Sequence, residues 1–67
     1  MKYGIGALIK RKDTGTLYEI VSLIHDEEND TWSYGYSYHP SRDGIAYFTK
    51  SVEDMENGDY KRVKADE

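Results

Sequence analysis

The sequence predicts a small all-β domain of five short strands, with one short 3₁₀ or α-helical turn between strands four and five. Turn-forming residues recur at short intervals along the 67 residues, as they do between successive hairpins. Trp32, Tyr34, Tyr36 and Tyr38 occupy every second position of one stretch, which is the period of a β-strand. β-Branched and aromatic residues fill the stretches between the turns, and such residues favour strands.

The first predicted hairpin has strands near residues 5–12 and 16–25. Gly15 suits the left-handed position that closes a type I turn with a bulge, and Asp13 suits the start of that turn. The second strand is apolar on both parities, with Tyr18, Ile20 and Ile24 on one and Leu17, Val21 and Leu23 on the other. This mixture favours a central, bulged strand and leaves open which of its faces is buried.

The remaining chain adds three predicted strands, near residues 31–38, 45–50 and 59–64. A loop at 25–31 precedes the first of these strands and a loop at 39–44 precedes the second. Between the last two strands, Ser51 suits the N-cap of a short helix, Asp54 the capping-box position and Gly58 the end of the turn. A chain of this length supports one hydrophobic core, so residues 1–67 form a single predicted domain with an ordered part of about 4–64.

Two segments carry a resemblance to a known class of proteins. "IGALIKRKDTGTLYEIVSLI" (5–24) resembles the opening hairpin of small SH3-like barrel proteins, many of them bacteriophage or prophage accessory proteins. In those, a Gly precedes the first strand, a Gly closes the turn and Tyr-x-Ile starts strand two. "AYFTKSVEDMENGDYKRV" (46–63) is similar to their closing segment, where a short acidic turn joins the last two strands. The resemblance implies a five-stranded SH3-like barrel with adjacent first and last strands. Such barrels bind peptides, methylated residues or nucleic acids, or act as inhibitors, so function stays open.

The aromatic row has two interpretations. It is either a wall of the core, because so short a chain needs large rings inside, or a platform for a peptide, a base or a cationic group. We expect the row to begin inside and to emerge at its Tyr36–Tyr38 end, since a tyrosine hydroxyl needs water or a partner. The predicted protein-binding residues are Trp32, Tyr34, Tyr36, Tyr38 and His39.

Basic residues cluster in the first and last predicted strands, although the net charge is −4. Since the resembled barrel brings these strands together, we expect a positive patch formed by Lys10, Arg11, Lys12, Lys61, Arg62 and Lys64. Such a patch can neutralise nucleic-acid phosphates, with Tyr rings stacking on bases, or dock an acidic protein surface. Lysines on an exposed edge strand also simply discourage edge-to-edge pairing.

Acidic residues cluster in two other places. The loop with Asp26, Glu27, Glu28 and Asp30 lacks the spacing of an EF-hand, so we interpret it as a solvated hairpin loop and not as a metal site. Together with the acidic residues of 53–59, it could instead mimic phosphates toward a nucleic-acid-binding protein. That possibility favours an inhibitory role.

Catalytic constellations are weak in this sequence. His25 and His39 are its two histidines, and Ser41 and Asp43 lie near His39 in one loop, which does not ensure that nucleophile, base and acid converge. No nucleophile elbow, phosphate-cradling glycine loop or zinc-type histidine pair is present, and there is no cysteine for a disulfide or a Cys-based zinc site. We therefore predict no enzyme, no cofactor and no metal.

The predicted setting is cytoplasmic, without a membrane partner, because the N-terminus lacks a signal-peptide apolar core and no stretch reaches the ~18–20 apolar residues of a membrane span. The preferred function is a non-enzymatic protein-interaction module, of the accessory or inhibitory kind encoded by phages or mobile elements, that binds a host protein. Nucleic-acid binding through the basic patch is the alternative. A homo-oligomer that pairs through edge strands or aromatic surface is a third possibility.

Overall fold

In the computed structural model, which describes residues 2–40 and 46–63, five antiparallel strands form one sheet with a single short helix among these residues. The elements are β1 (Leu8–Arg11), β2 (Leu17–Asp26), β3 (Thr31–Tyr38), β4 (Phe48–Ser51), α1 (Val52–Met55) and β5 (Tyr60–Val63). The strand order is β4-β3-β2-β1-β5, so the first and last strands are neighbours as expected. The all-β prediction is confirmed. The sheet is not closed among the described residues, since β4 and β5 form its two edges.

The turn between β1 and β2 has a glycine in the predicted left-handed conformation. Gly15 has a φ of +74°, and its N–H donates to the carbonyl of Arg11 at 2.8 Å. A residue with a Cβ is disfavoured at such a position, so glycine sets the turn. The carboxylate of Asp13 forms an ion pair with Arg11, with Oδ1 and Nε 2.9 Å apart.

A β-bulge in β2 explains why this strand is apolar on both parities. Ile20 lies opposite Tyr36 and Ser22 lies opposite Gly35, so Val21 is the extra residue. The bulge changes which parity faces the core: Ile20 is fully buried before it, and Leu23 packs against the core after it. The predicted bulge is confirmed, and neither parity is buried along the whole strand.

The core is built largely from tyrosine rings on one face of the sheet, here called the core face. Tyr18 makes edge-on contacts with Tyr36 and Phe48, at centroid distances of 5.2 and 6.0 Å. Such aromatic pairs contribute about 0.5–1.5 kcal/mol each beyond the area they bury. The buried cluster consists of Tyr3, Ala7, Ile9, Ile20, Tyr34, Tyr36, Met55 and Tyr60.

The helix α1 forms where Ser51 was expected to cap it. The Ser51 hydroxyl accepts a hydrogen bond from the Asp54 N–H at 3.2 Å, which satisfies one of the free donors of the first turn. Met55 anchors the helix in the core with no exposed surface. Gly58 follows with a φ of +107° and leads the chain into β5.

The hydroxyl of Tyr34 connects the N-terminal segment to the end of α1. It accepts hydrogen bonds from the N–H groups of Lys2 and Tyr3, both at 3.1 Å, and donates to Oε2 of Glu56 at 2.6 Å. Glu56 also accepts from the Lys2 N–H at 2.7 Å. These bonds hold residues 2–3 next to β3 and next to the residue that follows α1.

The opposite face of the sheet, here called the outer face, explains the glycine in the aromatic row. Tyr47 lies across Gly35, and its hydroxyl is 2.7 Å from the Ser22 hydroxyl. A Cβ on residue 35 would overlap both of these hydroxyl groups. Gly35 therefore leaves the space that the Tyr47 ring occupies.

Candidate functional site: a basic groove beside β5

The aromatic row is buried at its centre, and its exposed end is not the expected one. Tyr34 is 0% exposed and Tyr36 is 6% exposed, whereas Trp32 is 40% exposed. The expectation that Tyr36 emerges is wrong, because Tyr36 lies between Ile20 and Phe48 in the middle of the sheet. Trp32 lies beyond the last residue of β3 that pairs with β4, so no strand among the described residues covers it.

The other end of the row is half-buried. The Tyr38 ring stacks on Tyr18 at a centroid distance of 5.5 Å and meets Phe48 edge-on at 5.3 Å. His39 lies next to Glu19, with Nδ1 and Oε1 3.6 Å apart. The five predicted protein-binding residues therefore do not share one surface, because Trp32 is at one end of β3, Tyr38 and His39 are at the other, and the core lies between them.

A groove beside β5 is the candidate binding site. We call it the β5 groove, and it has a volume of about 420 Å³. Its cationic side chains come from the N-terminal segment, from the turn after β1 and from β5 itself, and two tyrosines also line it. The lining residues are Lys2, Tyr3, Lys12, Gly58, Tyr60, Lys61 and Arg62.

Local structure brings these residues together. The β1–β5 pairing places Lys10 opposite Lys61 and Ile9 opposite Arg62. Lys12 is fixed beside β5 by its N–H, which donates to the carbonyl of Asp59 at 2.9 Å. The hydrogen bonds of the Tyr34 hydroxyl hold the N-terminal segment, and with it Lys2, at the groove.

The predicted basic patch is brought together in part. Lys12, Lys61 and Arg62 line the β5 groove. Lys10 faces Lys61 across the β1–β5 ladder without lining the groove, and Arg11 is paired with Asp13. Lys64 lies outside the described residues.

Four residues that line the groove were not among the predicted site residues: Lys2, Tyr3, Gly58 and Tyr60. The signal was present in part, since the chain begins with a lysine followed by a tyrosine. What no local pattern shows is that this segment is held by a tyrosine hydroxyl 31 and 32 positions away along the chain. The groove therefore depends on long-range contacts.

The groove is strongly cationic. Four of the nine Lys and Arg residues line it, and none of its described lining residues is acidic. Within residues 2–40 and 46–63, no ion pair joins Lys2, Lys12, Lys61 or Arg62 to a carboxylate. Glu56 lies close to Lys2, but its carboxylate already accepts hydrogen bonds from Tyr34 and from the Lys2 N–H.

Burial and hydrogen bonding shift the pKa values of Tyr3 and Glu56, two groups near the groove. Burial, followed by the charge of Glu56, raises the pKa of Tyr3. The hydrogen bond from Tyr34, followed by that from the Lys2 N–H, lowers the pKa of Glu56. Tyr3 thus stays neutral at physiological pH, and Glu56 stays charged while it holds the N-terminal segment.

The acidic β2–β3 loop is stabilised by one of its own carboxylates. The Asp26 carboxylate accepts hydrogen bonds from Glu28 and Asn29, which brace the loop. These bonds lower the pKa of Asp26, chiefly through the Asn29 side chain.

Among the described residues, no three acidic or histidine side chains lie where they could hold a metal ion. Ser41 and Asp43 lie outside the described residues. No helix in the described part of the chain is long and apolar enough to cross a membrane.

Comparison with family models, with curated proteins and with solved structures gives no match to this chain. Its function therefore has to be argued from the fold and from the geometry of the β5 groove.

Proposed function

We propose that this chain is a non-enzymatic protein-interaction module whose β5 groove binds an extended, acidic segment of a partner protein. The observation that carries the proposal is the convergence of Lys2, Lys12, Lys61 and Arg62 on one groove without an acidic residue among the described lining. Such a surface attracts carboxylates and increases the rate at which an acidic partner finds it.

The open edge of β5 supports an extended ligand. β5 pairs with β1 on one side, and no described strand pairs with it on the other. An added strand gains backbone hydrogen bonds at such an edge, and side chains beside the edge supply specificity. Lys61 and Arg62 repel a basic strand and favour an acidic one, so the same charges that prevent unwanted pairing select the partner.

The burial of the groove tyrosines favours protein over nucleic acid. Tyr3 is 4% exposed and Tyr60 is 6% exposed, so neither ring offers a free face on which a base could stack. The net charge of −4 opposes a long polyanion, whereas it affects a short acidic segment less. Nucleic-acid binding remains the second candidate because the four cations would also neutralise phosphates.

We further propose that the domain is an SH3-like barrel of the phage accessory kind, acting in the cytoplasm on a host protein. Three features support the barrel: the order β4-β3-β2-β1-β5, the bulge that bends β2, and the helical turn between β4 and β5. The accessory role is supported by the small size of the domain and by the cationic binding groove.

The proposal is tested by the binding of a labelled acidic peptide, followed by fluorescence anisotropy at physiological salt. The groove variant is Lys12→Gln with Lys61→Gln, and its control is Lys10→Gln with Lys50→Gln, which changes the net charge by the same amount. We expect the groove variant to bind about tenfold more weakly, as the loss of about 1.4 kcal/mol would produce. We expect the control to change binding by about twofold or less.

Two outcomes would contradict the proposal. Equal weakening by both double variants would show attraction by overall charge and not by the β5 groove. Tighter binding of a single-stranded oligonucleotide than of an acidic peptide with the same charge would favour nucleic acid as the ligand, and this binding should fall steeply with salt.

A further inference from the structure

The β2–β3 hairpin extends beyond the rest of the sheet. β1 pairs with β2 no further than Glu19, and β4 pairs with β3 no nearer the loop than Ser33. The distal part of the hairpin, residues 25–32, therefore has no neighbouring strand on either side among the described residues. We call this part the acidic ribbon.

The acidic ribbon exposes carboxylates around one aromatic pair. His25 and Trp32 lie opposite each other, and their rings stack with a centroid distance of 4.5 Å. His25 Nε2 is 3.1 Å from Asp30, which holds the imidazole against the loop. The exposed acidic residues of the ribbon are Asp26, Glu27, Glu28 and Asp30.

We propose that the β5 groove of one copy of this chain binds the acidic ribbon of a second copy. The inference deepens the proposed function and rests on it, because it assigns an acidic segment of this chain to the same groove. The ribbon carries four carboxylates, opposite in charge to the four cations of the groove. Asp26 and Asp30 hydrogen-bond within the hairpin, so we assign the contact chiefly to Glu27 and Glu28. Complementary charge of this kind sets both the choice of partner and the register of docking.

The backbone edges of the ribbon and of β5 are also complementary. At the base of the ribbon, residues 25–26 of β2 and residues 31–32 of β3 have outer edges that pair with nothing in the described chain, and residues 27–30 form the turn between them. β5 also has one such edge. Docking of one edge on the other would extend the sheet of one copy with the hairpin of the next. Trp32 adds apolar area that a purely ionic contact would lack, and exposed tryptophans often anchor interfaces.

The contact must form between copies and not within one. Lys12 lies beside the start of β2, whereas the ribbon lies at the far end of the same strand, beyond Leu23 and Tyr34. A rigid sheet cannot bring its own ribbon into its own groove. The contact joins two different surfaces, so it is heterologous, and self-association competes with the acidic segment of the partner protein.

The inference is tested by sedimentation of the whole chain over a range of concentrations, with a charge-swap pair. The groove is reversed by Lys12→Glu with Lys61→Glu, and the ribbon by Glu27→Lys with Glu28→Lys. We expect the unmodified chain to exceed its 7.8 kDa monomer mass as concentration rises, and to return to that mass at about 0.5 M salt, where screening is strong. Each variant alone should stay monomeric, and an equal mixture of the two should associate.

The results separate this inference from the proposed function. The inference is overturned if the unmodified chain stays monomeric at every concentration at low salt. It is also overturned if both variants self-associate as the unmodified chain does. If the chain stays monomeric but the ribbon variant still binds the acidic peptide, the groove function stands and only self-recognition fails. If neither contact forms, both proposals fall. The salt series needs no substitution, so a chain that stays monomeric at low salt overturns the inference even where a reversed variant does not fold.

Discussion

At the scale of single residues, Tyr34 has two roles. Its ring is fully buried in the core, and its hydroxyl binds the N-terminal segment and Glu56. A buried hydroxyl must have such partners, because desolvation without them costs about 1–3 kcal/mol. The tyrosine at this position therefore stabilises the core and also shapes the β5 groove through Lys2 and Tyr3.

We expect Tyr34→Phe to lower the free energy of unfolding by about 1–3 kcal/mol, because the N–H groups of Lys2 and Tyr3 and the carboxylate of Glu56 lose a shared partner. Urea denaturation measures this change. Tyr47→Phe is the matched control, since its exposed hydroxyl bonds to Ser22 alone among the described residues, and it should cost less than about 1 kcal/mol. Equal losses in the two variants would contradict the role assigned to Tyr34.

The lowered pKa of Glu56 predicts a loss of stability in acid. The stabilisation by its carboxylate is fully present above the ordinary pKa of 4.5. As the pH falls below that value, the unfolded chain takes up the proton first, so the free energy of unfolding declines until the folded carboxyl is protonated too. We expect Glu56→Gln to be less stable than the unmodified chain at about pH 7 and to lose less stability between about pH 5 and about pH 3. Parallel pH profiles for the two chains would show that Glu56 does not contribute.

At the scale of elements, the turns and the helix were predictable because local chemistry sets them. Gly15, Ser51 and Gly58 each satisfy a local backbone requirement, and each does so where the sequence indicated. The bulge in β2 was indicated by apolar residues on both parities of the strand, but its position at Val21 was not. The exposure of Trp32 was not predictable, since it depends on how far β4 extends along β3, and strand length is not encoded by any local motif.

The N-cap of α1 can be tested by a single substitution. We expect Ser51→Ala to lower the free energy of unfolding by about 0.5–2 kcal/mol, because the Asp54 N–H loses its acceptor at the start of the helix. Thermal or urea denaturation measures the loss. Ser37→Ala, on β3 outside the helix, is the control and should change stability by about 0.5 kcal/mol or less. If Ser37→Ala costs as much, the cap has no special role.

At the scale of the whole molecule, charge is separated along the sheet. The cationic groove lies beside β5 and the acidic ribbon lies at the far end of β2, which the net charge of −4 conceals. The sequence indicated the meeting of the first and last strands through the resemblance, and β1–β5 pairing is observed. It did not indicate that the N-terminal segment joins them, because that placement depends on the Tyr34 hydroxyl within the folded core.

The tyrosine-rich core predicts a loss of stability in alkali. Burial is the first cause that raises the pKa of Tyr3, Tyr18, Tyr34 and Tyr36 above the ordinary value of 10.0. Above about pH 10 the unfolded chain releases protons that the folded chain retains, so the free energy of unfolding falls as the pH rises. Urea midpoints measured together with tyrosinate absorbance should show these rings ionising only with unfolding. Their ionisation near pH 10 in a chain that stays folded would contradict the buried core.

The measurement that tests the central claim most directly is a nuclear magnetic resonance titration of the labelled chain with an acidic peptide. We expect the largest amide shift changes in the β5 groove, at residues 2–3, 12, 58 and 60–62. Changes confined to residues 25–32 with none in the β5 groove, or the absence of any saturable change at physiological salt, would contradict this expectation.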